Sequence, residues 1–140
     1  MTQEAPEANL TLLGQKVPLP TTIDGSILEP IPNRWLDSDY DVNLICEEFT
    51  SLCPVTNQPD FARIFITYKP DQWLVESKSL KLYLGGYRNQ GTFAEYATNQ
   101  ICQDLVKILQ PKSIEVRCEF TARGGIKIVP VARWTKAAAV

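Results

Sequence analysis

Cys53 and Asp60 stand in one short segment, Ser51-Leu-Cys-Pro-Val-Thr-Asn-Gln-Pro-Asp-Phe61. A cysteine attacks as its thiolate and needs a base or a positive neighbour to reach that form. With prolines at 54 and 59 tightening the loop, Asp60 is the nearest titratable group the chain can bring to the thiol. A carboxylate in a partly apolar pocket can pass protons near neutrality. The competing reading is a buried structural cysteine beside a capping aspartate. Histidine enters neither, because the 140-residue chain contains none. That excludes a Ser-His-Asp triad, a Cys-His dyad and an imidazole proton shuttle. Chemistry here must run on carboxylates, thiols, Lys, Arg and Tyr.

Three other segments carry candidate groups. In Glu76-Ser-Lys-Ser-Leu-Lys-Leu-Tyr83, Lys78 and Lys81 are three residues apart at a helix start, hence on one face. Such a pair suits a phosphate, or it is a solvated helix face. Glu76, just after the apolar Trp73-Leu-Val75, is either an N-terminal helix charge or a buried acceptor. In Phe93-Ala-Glu-Tyr96, Glu95 either closes a capping box on Thr92 or points into a pocket as an acceptor for a guanine-like edge. Arg123, beside Gly124-Gly125, either reaches a phosphate or decorates a hairpin tip. Neither GxGxxG nor GxxxxGK[ST] occurs, so a Rossmann or P-loop nucleotide site is unsupported.

The elements that must position these groups read as follows. Residues 1–36 hold five prolines and no sustained periodicity, so an extended arm is expected. Tyr40–Cys46 alternates as a strand, and the β-branched and aromatic Ala62–Tyr68 reads as a second. The proline-bounded stretch 48–60 between them is expected to be a loop. Leu80, Tyr83, Leu84 and Tyr87 recur at helical spacing. A second helix, capped by Thr92 and stopped by Pro111, carries the stripe Ala97, Ile101, Leu105, Ile108 and Leu109. Ile114, Val116, Cys118 and Phe120 then alternate as a half-buried strand, Gly124-Gly125 turns the chain, and Ile126 and Ile128 continue as a last strand. Pro130 makes the end of that strand an edge or bulge. The order β-β-α-α-β-β implies an α+β fold, a four-stranded antiparallel sheet with two helices on one face. Its two open edges would be covered by closure into a barrel-like homo-oligomer.

Length and composition fit a single domain spanning 1–140. The net charge of −2 and a pI near 5.2 do not suggest a nucleic-acid or membrane binder. Cys46, Cys53, Cys102 and Cys118 have no CxxC spacing, which argues against zinc. The acidic N-terminus does not read as a secretory signal, so a cytoplasmic protein with reduced thiols is expected.

Taken together, Glu76–Tyr83, the Glu48-Phe-Thr-Ser-Leu-Cys-Pro and Gln58-Pro-Asp-Phe61 loop, and Phe120-Thr to Arg123-Gly-Gly-Ile126 resemble the QueF family. These are the single-module 7-cyano-7-deazaguanine reductases of queuosine biosynthesis, a tRNA-modification pathway. The resemblance covers roughly residues 10–130. It implies the tunnelling fold (T-fold), sites between subunits of an oligomer, and NADPH-dependent reduction of a nitrile to an aminomethyl group. By the same resemblance, Cys53 is the nucleophile forming a thioimide and Asp60 the acid/base. Val75, Glu76, Ser77 and Glu95 would hold the deazaguanine, and Lys78, Lys81 and Arg123 the NADPH phosphates. One departure stands out: the family usually has Phe-His-Glu where this chain has Phe93-Ala94-Glu95. Two other outcomes remain open, an amidine-forming relative using ammonia and a deazapurine-binding pocket without turnover.

Overall fold

The computed structural model describes residues 10–138; residues 1–9 of the expected arm lie outside them. Strands β1 (Pro30–Pro32), β2 (Val42–Leu52), β3 (Pro59–Lys69) and β4 (Trp73–Val75) are followed by helices α1 (Ser77–Gly85) and α2 (Ala94–Leu109). Strands β5 (Ser113–Phe120) and β6 (Val131–Thr135) complete the order. The main sheet is antiparallel, β2-β3-β5-β6, and β1 pairs with β4 in a small separate ribbon.

Alternation decides which sheet face is covered. Ala62, Ile64, Ile66 and Tyr68 of β3 and Ile114, Val116, Cys118 and Phe120 of β5 are buried. They meet the stripe Ala97, Ile101, Leu105 and Leu109 of α2 and Leu80, Tyr83 and Leu84 of α1. Burying apolar side chains at roughly 25 cal/mol per Å² makes this layer the main source of stability. The opposite face carries Arg63, Phe65, Glu115, Arg117 and Glu119, with Phe65 between the Arg63 and Arg117 guanidiniums.

Several local expectations need correction. Stretch 48–60 is not one loop: β2 runs on to Leu52 through a bulge between Cys46 and Phe49, and β3 starts at Pro59. The bulge shifts the alternation by one residue, which hid the strand in the sequence. Ile126 and Ile128 do not form the last strand, which begins after Pro130. Pro130 lacks the N–H a ladder needs, and this stretch meets β5 through two carbonyls, Ile128 O accepting from Phe120 N–H and Pro130 O from Cys118 N–H. The capping box is absent: α2 begins behind Phe93 without a side-chain cap, and the Thr92 hydroxyl bonds the Phe93 carbonyl instead. The expected arm, from residue 10 onward, contains a 3-10 turn at Gly25–Ile27 and strand β1.

Candidate active site

Cys53 opens a six-residue connection, 53–58, between the paired ends of β2 and β3. The connection closes on itself: Cys53 N–H donates to Gln58 O at 2.8 Å and Asn57 N–H to Cys53 O at 2.9 Å. Asn57 takes the left-handed conformation, φ 58°, which asparagine tolerates better than most residues. Asp60 follows at once on β3, opposite Ser51. The end of β2 is pinned sideways, because Leu52 N–H bonds Gln90 O and Thr92 N–H bonds Leu52 O, each at 3.0 Å. Gly91 lets this segment approach, since a Cβ there would sit 3.3 Å from the Pro54 Cα. The first turn of α2 thereby arrives beside the loop.

The third wall is the segment after β5. Thr121 N–H bonds Phe61 O, and Arg123 and Ile126 exchange two backbone bonds around Gly124 and Gly125, whose φ values of 56° and 78° suit a tight turn. These pieces enclose a cavity of about 250 Å³ that brings together Cys53, Asp60, Ala94, Glu95 and Arg123. Pro54, Phe93, Phe120, Ile126 and Ile128 supply apolar wall. A flat heteroaromatic ring fits such a setting, with polar groups fixing its orientation.

The thiol of Cys53 is drawn down to about 7, chiefly by a hydrogen bond from the Thr56 side chain. The N–H groups of Thr56 and Val55 add to this and the Arg123 guanidinium contributes, against a small opposing effect of burial. The donors of one loop thus favour the thiolate without an imidazole. Asp60 lies low in the wall, its side chain 17% exposed, and forms an ion pair with Arg123 Nη1 at 2.7 Å. Glu95, on the first turn of α2, is exposed and free of the capping role the sequence allowed. The other cysteines are different: all four are free thiols, and burial pushes Cys118 up to about 11 and raises Cys46 and Cys102.

The remaining site candidates lie elsewhere in the protomer. Glu76 is buried and caps α1, accepting from Lys78 N–H at 2.7 Å and Ser79 N–H at 2.8 Å, so it is both helix charge and buried acceptor. Val75 is buried, and its N–H bonds the Tyr68 hydroxyl at 3.1 Å. Ser77 and Lys81 line a second cavity of about 260 Å³ with Cys46 and Ile66. Lys78 and Lys81 line a third, of about 460 Å³, with Lys16 of the arm, and Lys78 Nζ donates to the carbonyls of Leu12 and Gln15. None of these five residues lines the Cys53 cavity. A larger cavity, about 720 Å³ near the β2 bulge, has no cysteine in its lining. Thr56 and Gln58 were missed as functional residues; the one signal for them was their place inside the loop between Cys53 and Asp60.

Comparison with known proteins places the chain in a family. A family model described as QueF-like protein matches residues 59–139. The NADPH-dependent 7-cyano-7-deazaguanine reductase of Streptococcus thermophilus is 53% identical over 131 residues, 93% of this chain and 80% of that protein. The reductase of the same name from Exiguobacterium sibiricum is 54% identical over 129 residues, 91% and 80%. That of Porphyromonas gingivalis is 50% identical over 130 residues, 93% and 84%. In three dimensions, the crystal structure of the archaeosine synthase QueF-Like in the apo form matches with a TM-score of 0.66. It covers 72% of this chain and 99% of that one at 18% identity, a likeness of fold alone. With its α+β tunnelling fold and identity of half or more to named members over most of its length, the chain belongs to the QueF family of NADPH-dependent 7-cyano-7-deazaguanine reductases.

Proposed function

We propose that the protein reduces the nitrile of 7-cyano-7-deazaguanine to the aminomethyl group, with NADPH as reductant, through a thioimide on Cys53. The observation that carries this reading is the single cavity holding Cys53, Asp60 and Glu95, with the thiol drawn down to about 7. The Cys53 sulfur bonds the nitrile carbon, and its proton passes by way of Asp60 to the nitrile nitrogen, so the C≡N bond becomes C=NH with nothing left over. Covalent attachment holds that carbon fixed against the cavity wall, where positioning alone lowers the barrier. Two NADPH molecules bound in turn would each supply one hydride, to the thioimide carbon and to the imine that remains after the thiolate leaves, each matched by one proton delivered to nitrogen by way of Asp60. Cys53 departs as a good leaving group because its thiolate is stabilised where it stands.

Glu95 suits the guanine edge of the substrate, as a carboxylate open to the cavity that accepts two adjacent N–H groups. Lys78 and Lys81, joined by Lys16 around one cavity, fit the phosphates of NADPH by charge, and Arg123 adds a fork-shaped donor on the Cys53 side. Val75, Glu76 and Ser77 complete substrate recognition. Because these groups fall in separate cavities of one protomer, we read the working site as assembled between copies of this chain, Cys53 and Asp60 from one and the Val75–Lys81 segment from its neighbour. Residues 1–140 act as one reductase domain in the cytoplasm, where NADPH and free thiols are maintained; among the described residues no helix is long and apolar enough to cross a membrane.

Loss of NADPH absorbance on adding the nitrile is the direct assay. Turnover by the wild type and none by Cys53→Ala is the expected result, and an ammonia-dependent product with no NADPH consumption contradicts it. Ala94, at the cavity wall beside Cys53, favours measuring the adduct as well, since a trapped thioimide without turnover is the outcome expected of a binding protein.

A further inference from the structure

We propose that Arg123 is a positioning residue for the Cys53–Asp60 pair, gripping the Asp60 carboxylate and the end of the Cys53 loop from the neighbouring hairpin before any cofactor arrives. The inference rests on the reading of Cys53 and Asp60 as the reacting pair and goes beyond a role in holding phosphate. The guanidinium makes two separate contacts, an ion pair of Nη1 with Asp60 Oδ1 at 2.7 Å and a hydrogen bond from Nη2 to Gln58 Oε1 at 3.0 Å. Gln58 is also the residue whose carbonyl closes the loop on Cys53 N–H. One planar group therefore fixes the carboxylate, the loop end and, through that backbone bond, the nucleophile. A lysine ammonium is a point charge without this fork.

Reach and direction are set by the hairpin. Arg123 N–H and C=O both bond Ile126, and Thr121 N–H bonds Phe61 O beside Asp60, so the side chain starts from a fixed base. Its side chain is 42% exposed, against 17% for Asp60, so the guanidinium covers the carboxylate. Two of its nitrogens are so engaged, and further N–H groups of the five stay open to a second anion. Three charged groups line the cavity around Cys53: Asp60, Glu95 and Arg123. The two carboxylates oppose a thiolate, and Arg123 is the one cation among the described residues of that wall. A residue serving the cofactor alone has no effect until the cofactor is present; Arg123 acts on the empty enzyme.

The test is alkylation of Cys53 by iodoacetamide, followed by peptide mass across a range of pH with neither nitrile nor NADPH added. Arg123→Ala is expected to raise the midpoint slightly and slow alkylation at neutral pH by about 2-fold, less than loss of the Thr56 hydroxyl, because Arg123 is the smallest of the donors that favour the thiolate. Arg123→Lys keeps the charge and is expected to recover most of that rate. In the absence of NADPH, however, formation of the nitrile adduct stays slow in Arg123→Lys, because a single ammonium does not hold Asp60 and Gln58 together. Gln58→Ala, which removes one tether and keeps the guanidinium, is expected to slow the adduct several-fold with the alkylation midpoint unchanged. An Arg123→Ala protein that alkylates with the wild-type midpoint and rate overturns the proposal, as does full-speed adduct formation by Arg123→Lys. Wild-type protein that forms no adduct overturns the reading of Cys53 as the nitrile nucleophile, and the alkylation result is independent of it.

Discussion

At the scale of single residues, the Cys53 thiolate is favoured by hydrogen-bond donors of its own loop, with no histidine in the chain. Thr56 contributes most, ahead of the N–H groups of Thr56 and Val55 and of Arg123. An ordinary cysteine titrates near ~8.5. With Cys53 drawn down to about 7, the reactive thiolate is present above that pH and is lost as pH falls through it. Alkylation should therefore show a midpoint near 7, and Thr56→Val should move it upward and slow reaction at neutral pH several-fold; an unchanged midpoint in Thr56→Val contradicts that assignment. Ala94 belongs to the same scale. It occupies the cavity wall at the position where the family usually carries histidine. Positioned acid–base groups contribute ~10²–10⁴-fold, so Ala94→His should raise NADPH turnover measurably. Equal or slower turnover shows that Asp60 suffices. Cys53, Asp60, Glu95 and Arg123 were legible in the sequence as candidates in short segments, each beside a structural alternative, and the fold brings all four to one cavity. Thr56 was not, since its role depends on how a loop folds back on one sulfur atom.

Among the elements, α1 is held at its start by a residue expected to serve substrate. Both oxygens of Glu76 cap α1, its backbone N–H bonds Glu29 O at 2.9 Å, and Ser79 Oγ donates to its carbonyl at 2.7 Å. Glu76→Ala should lower unfolding free energy by about 1–2 kcal/mol, as loss of an N-cap does, and a urea titration measures it. Unaltered stability would mean the cap is dispensable. Reading the elements from sequence worked where burial imposed a regular period, as in β5 (Ile114, Val116, Cys118, Phe120) and the α2 stripe. It failed where geometry departs from period: at the β2 bulge, at β6 displaced past Pro130, and at the three-residue pairing of Pro30–Pro32 with Trp73–Val75. Phe93 likewise took the cap position from Thr92, because pairing of Thr92 N–H with Leu52 O fixes that backbone before the helix begins.

For the whole molecule, the main sheet of the described residues ends in two edges, the 11-residue β2, bonded beyond the sheet at Leu52 to Gln90 and Thr92, and the five-residue β6. Exposed strand edges invite pairing with another chain. Apolar side chains are also exposed at Ile45, Phe61, Phe93, Tyr96 and Ile126, of which Phe93 and Ile126 line the Cys53 cavity. Light scattering should accordingly give a mass several times the 15.7 kDa protomer, and a stable monomer that still turns over contradicts a site shared between copies. The central claim, covalent capture of the nitrile by Cys53, is tested most directly by the intact mass of the protein mixed with 7-cyano-7-deazaguanine in the absence of NADPH. The expected result is a gain of one substrate mass in the wild type and none in Cys53→Ala. No gain in the wild type, or a gain that survives in Cys53→Ala, contradicts it.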